Sequence, residues 1–116
     1  MRSILFATAA LLAAGCGSPI PCKNKAAPPT WTANTQQIYV DHCDKCHSLT
    51  PTVTKQETGD VPDSAFYDNF SNAARYAVLA GQRVENKSMP PARENDPLSA
   101  ADVETIQQWA ACGATK

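Results

Sequence analysis

The sequence predicts an all-α domain of short helices and loops, on three observations. A chain of 116 residues with 43% apolar content and ordinary charge has room for one small domain at most. Its nine prolines and sparse apolar runs fit short helices separated by turns. No β-branched, alternating segment of useful length occurs, so a sheet is not expected.

The chain opens with a segment that does not belong to that fold. Met1-Arg2-Ser3 is a short positive region, and the apolar run 4–14 is too short to span a membrane as a mature helix. Residues 1–15 are therefore expected to be a signal peptide. The following Leu12-Ala13-Ala14-Gly15-Cys16 resembles the lipobox of bacterial lipoproteins, with leucine one place earlier than that pattern usually has it. The resemblance implies lipidation of Cys16, and with it a location on the periplasmic side of a bacterial membrane. Residues 16–33, rich in proline and without periodicity, read as anchor and tether, leaving 34–116 as the domain. Loss of residues 1–15 removes Arg2 and leaves 9 basic against 11 acidic residues. No basic run with interleaved aromatics occurs, which argues against a nucleic-acid partner.

The first helix is expected over 34–46, capped by Asn34 or Thr35, with Ile38, Tyr39, His42, Cys43 and Cys46 at helical spacings of three and four. Trp31, just before it, reads as a hydrophobic cover on this helix. The stretch 48–63 is turn chemistry, with Thr50-Pro51, Thr58-Gly59-Asp60 and Val61-Pro62. After the aromatic patch 66–70, Ser71 can cap a helix carrying Ala73, Ala74, Ala77, Val78 and Leu79, with Gly81 at its C′ position. Arg75, Tyr76 and Arg83 on this stretch could bind a carboxylate. In the last helix Ser99 is the cap and Asp102 its short-armed capping-box partner. An apolar stripe of Val103, Ile106, Trp109 and Ala110 follows and stops at Gly113.

The chemistry concentrates in Cys43-Asp44-Lys45-Cys46-His47. Two thiols at this spacing followed at once by an imidazole suit attachment of one haem through two thioethers, with the histidine on its iron. A haem would also contribute apolar surface to a domain too small to bury much of its own. A zinc site would need a second close pair of donors, and a thioredoxin-like motif a helix that starts at the first cysteine. With Cys16 lipidated and Cys43 and Cys46 on haem, Cys22 and Cys112 remain, an even pair that suggests one disulfide in an oxidising compartment. His42 sits on the same turn as the attachment cysteines, so it cannot reach the face of the iron opposite His47. It is expected to face solvent or to hydrogen-bond a group beside the ligands.

With its Ile-Tyr-Val-x-x-Cys-x-x-Cys-His pattern, a later Asn86-Lys87-Ser88-Met89-Pro90-Pro91 loop and a closing apolar helix, the span 34–113 resembles class I cytochromes c. The resemblance implies a cytochrome c-like fold around one covalent haem c. It also implies that Met89 is the second axial ligand and that Tyr39 packs on the last helix. Thr35 stands where the family often has a small residue at the helix crossing, which implies a looser or shifted contact. A proline after the haem histidine usually offers its carbonyl to the imidazole, and Pro62 is the candidate. Met89 is the one methionine outside the signal peptide, and a thioether is a soft ligand that two following prolines would hold extended. The implied function is single-electron transfer to and from redox partner proteins in the cell envelope, without enzyme activity of its own. Readings kept beside it are a haem-based sensor or ligand binder and a haem subunit of a larger redox enzyme.

Overall fold

A computed structural model describes residues 20–48 and 67–116. Residues 1–19, which include the expected signal peptide and Cys16, and residues 49–66, which include Pro51, Pro62 and Phe66, lie outside them. Among the described residues there are helices and turns and no strand. We label the α-helices α1 (Gln36–His42), α2 (Phe70–Arg75), α3 (Ala77–Glu85) and α4 (Ala100–Ala111). A wide helical turn, Trp31–Thr35, precedes α1, and a 3₁₀ turn, Ala92–Glu94, precedes α4.

The first helical segment begins earlier than its composition suggests. Thr30, not Asn34 or Thr35, is the cap: its hydroxyl accepts from the Ala33 N–H at 3.3 Å, while the Asn34 side chain accepts from the Thr30 N–H at 3.0 Å. This reciprocal arrangement satisfies two backbone donors that a helix start otherwise leaves exposed. The segment also ends earlier. α1 stops at His42, and residues 43–46 continue as turns in which the Cys46 and His47 N–H groups both donate to the Cys43 carbonyl.

The middle segment differs more. Asn69 rather than Ser71 caps α2, accepting from the Asn72 N–H at 2.9 Å. The helix then breaks at Tyr76 and resumes as α3. Gly81 is not a C′ residue but lies buried inside α3 against α4, where an added Cβ would meet the Gln107 Cα at 3.6 Å. α3 ends instead on Lys87, which adopts a left-handed φ of 61°. The Ser88 N–H donates to the Arg83 carbonyl and the Lys87 N–H to the Val84 carbonyl, the paired bonds of a Schellman ending.

The last helix follows its sequence signals closely. The Ser99 hydroxyl accepts from the Asp102 N–H at 3.1 Å and donates to the Asp102 carboxylate at 2.6 Å. Gly113, at φ 99°, closes the helix, with the Ala114 N–H reaching back to the Trp109 carbonyl. Packed on α4 is a core of aromatic rings. Trp31, Tyr39 and Trp109 lie 5.2 to 6.0 Å apart by ring centroid, with Ile106 fully buried among them. Tyr39 thus meets the last helix, but the Trp31–Thr35 turn supplies most of the N-terminal contact with α4, with Thr35 wholly buried. Trp31 belongs to this core. The same turn is tied to the last residues of the chain, since the Thr115 carbonyl accepts from both the Trp31 N–H and the Trp109 indole N–H, at 2.9 and 2.8 Å.

The stretch expected as a tether is fastened well before residue 33. The Cys22 and Cys112 sulfurs stand 1.93 Å apart, a bonded pair separated by 90 positions. Beside it the Gln108 side chain accepts from the Lys23 N–H at 2.8 Å and donates to the Pro21 carbonyl at 3.2 Å, and Lys23 pairs with Glu104.

Candidate functional site

The end of α1, the turn after it, α3 and the loop leading to α4 surround a cavity of about 330 Å³. Cys43, Cys46 and His47 line it from the turn, and Met89, Pro90 and Pro91 from the loop. Apolar walls come from Tyr39, Tyr67, Leu79, Ala80, Val84 and Ile106. Two thiols, an imidazole and a thioether, drawn from distant parts of the chain, therefore share one largely apolar chamber.

Each of these side chains is placed by local causes. Cys43 caps the end of α1, its N–H donating to the Tyr39 carbonyl at 2.8 Å, and the tight turn after it brings His47 back under the helix end. The His47 ring is stacked on Tyr67, with centroids 4.8 Å apart and planes 13° from parallel. The Tyr67 N–H donates to the His47 carbonyl at 2.6 Å, so the chain before and after the 49–66 stretch is joined. Met89 follows the Schellman ending directly, and its own N–H donates to the Arg83 carbonyl at 3.1 Å. Its side chain lines the cavity while the residue remains 39% exposed.

The electrostatics of the chamber argue against thiol redox chemistry at Cys43. Burial, followed by the Asp44 and Asp96 carboxylates, pushes the Cys43 thiol up to about 12. It stays protonated at neutral pH, the opposite of the lowered thiol in a redox-active pair. Neither Cys43 nor Cys46 takes part in a disulfide. Burial also raises the Tyr39 phenol far above its ordinary value, with Cys43 next in effect, and leaves its hydroxyl buried without a hydrogen-bond partner. Asp44 is raised to about 6 by burial and then by Asp68, and one of its oxygens is likewise buried and unpartnered. Among the described residues no three His, Cys, Asp or Glu side chains converge to hold a metal ion, so the zinc alternative gains no support.

The other residues that the sequence singles out divide between the cavity and its surroundings. His42 lines the cavity, and its Nδ1 donates to Asp96 at 2.9 Å. Lys45 pairs with the other oxygen of the same carboxylate. Of the aromatic patch, Tyr67 lines the cavity whereas Phe70 packs toward Trp31 at 6.3 Å. Arg83 lines the cavity together with Arg93, while Arg75 lies over the Tyr76 ring instead. Pro62 and Cys16 lie outside the described residues. Among the described residues no helix is long and apolar enough to cross a membrane.

No family model matches the chain, and no curated protein or solved structure does.

The donor set nevertheless fits a haem. The cavity offers paired thiols of the attachment spacing, a nitrogen and a soft sulfur as ligands, flat aromatic and aliphatic walls, and two arginines among its lining residues.

Proposed function

We propose that the protein is an electron-transfer cytochrome of class I type, an all-α domain built around one covalently held haem c. The single observation that carries this reading is the convergence of Cys43, Cys46, His47 and Met89 on one apolar cavity. Cys43 and Cys46 would supply the thioether sulfurs, and His47 and Met89 would hold the iron through a nitrogen and a sulfur. When bound, a haem would supply a one-electron iron couple. The chain's part is to saturate the metal with two side chains, exclude water with Tyr39, Tyr67, Val84 and Ile106, and hold the ligands in place through both oxidation states. Methionine opposite histidine favours a high potential. In this proposal the chain is exported and carries lipid on Cys16, and residues before the Cys22–Cys112 bond leash it to the periplasmic side of a membrane. Anchoring raises its effective concentration near redox partner proteins there.

The test is expression of the full chain in a strain competent for haem attachment, followed by a pyridine haemochrome assay and a reduced-minus-oxidised spectrum. One haem c per chain is the expected result, and a colourless product refutes the reading. The exposure of Met89 supports a second reading, a ligand-sensing haem protein in which this thioether is displaced. Carbon monoxide separates the two: rapid stoichiometric binding to the reduced protein favours the sensor, and slow or absent binding the carrier.

A further inference from the structure

His42 and Lys45 flank the attachment cysteines and take no part in the ligand set, yet both point at one distant carboxylate. The His42 Nδ1 lies 2.9 Å from one oxygen of Asp96, 54 positions away, and Lys45 holds the other oxygen, 51 positions away. An ionised carboxylate only accepts, so the His42 proton facing it is on Nδ1. The three side chains keep 21 to 26% of their exposure, so these bonds are screened less than those of an open surface pair.

The position of Asp96 gives the contact its meaning. From Met89 the chain runs through Pro90 and Pro91, the turn Ala92–Glu94 and Asn95, which adopts a left-handed φ of 49°, directly to Asp96. The backbone bonds of this loop are local: Met89 and Ser88 N–H to the Arg83 carbonyl, Glu94 N–H to Pro91, Asn95 N–H to Ala92. None of these reaches the turn that carries Cys43, Cys46 and His47. The carboxylate does.

We propose that Asp96 is a positioning residue, a latch that ties the Met89 loop to the haem-attachment turn through His42 and Lys45 and keeps the thioether over the cavity. The inference rests on Met89 as the axial ligand. A ligand that competes with Met89 binds only when the loop is open, so its apparent affinity scales with the open fraction. Losing two charge-assisted bonds raises that fraction.

The experiment titrates imidazole into the ferric, haem-loaded full chain. Asp96→Asn should bind it about tenfold more tightly than the native protein, Lys45→Gln by a smaller factor in the same direction, and Asp96→Glu close to native. Affinities for Asp96→Asn and Lys45→Gln within about twofold of native would overturn the latch. A second readout does not depend on haem. Hydrogen exchange at the Glu94 and Asn95 amides should be faster in Asp96→Asn, and unchanged exchange there also overturns the proposal. A colourless chain with faster exchange would remove the cytochrome reading, and with it the ligand-holding role, and leave only the tie between the loop and the turn.

Discussion

The two sides of Tyr39 solve opposite problems. On one side Trp31, Trp109 and Ile106 close around it, none more than 5% exposed, and the protein satisfies its own apolar surface. On the other side lies the chamber lined by Cys43, Cys46, His47 and Met89, where Leu79 and Met89 remain 43% and 39% exposed. Under the proposed function, the difference separates residues that hold the fold together from residues that would hold the haem.

The largest effect should fall on the closed side. Trp109→Ala removes a fully buried ring and should cost about 3–5 kcal/mol by denaturant unfolding. Replacing Cys22 and Cys112 together by alanine should cost about 2–4 kcal/mol, because their bond closes most of the chain. On the open side Asp44→Asn should stabilise the protein at neutral pH by about 1 kcal/mol once solvent screening is allowed for. Asp44 is raised from 3.8 to about 6. Its carboxyl therefore favours folding only while protonated, a contribution present below the unfolded value and lost as pH rises through 6. The gain from Asp44→Asn should thus vanish below pH 4, which unfolding curves across pH 3–8 would show. Met89→Ala should change the stability of the haem-free chain by under about 0.5 kcal/mol, as expected for an exposed site. In the loaded protein it should abolish the weak red charge-transfer band of methionine-ligated ferric haem. A large loss of haem-free stability would place Met89 with the closed side and break the comparison. In the same small range, Lys87→Gly should stabilise by about 0.5 kcal/mol by relieving a left-handed residue.

What could be read from the sequence follows the range of the interactions. The last helix was legible at both ends because Ser99, Asp102 and Gly113 act on neighbours three to five residues away. Signals of the wrong kind misled in the middle: Gly81 looks like a helix end but serves a close approach to α4, and Lys87 ends α3 although its side chain gives no hint of left-handed backbone. The start at Thr30 was hidden because its cap partner, Asn34, looked like a cap itself. For the site, residue type, spacing and the resemblance to class I cytochromes c singled out the thiols, His47 and Met89, and the structure lines one cavity with them. The Asp96 contacts were not, since no local pattern marks a carboxylate whose partners lie more than fifty positions away.

The Cys22–Cys112 bond also constrains how the molecule can be made. Along the unfolded chain the first thiols downstream of Cys22 are Cys43 and Cys46, only about twenty residues on, and loop closure favours them over a partner 90 residues distant by about 1 kcal/mol. In the proposed cytochrome, chance pairing would therefore consume the sulfurs that the haem needs. Its maturation would then be ordered, with the central pair occupied or the aromatic core already assembled before an oxidant reaches Cys22.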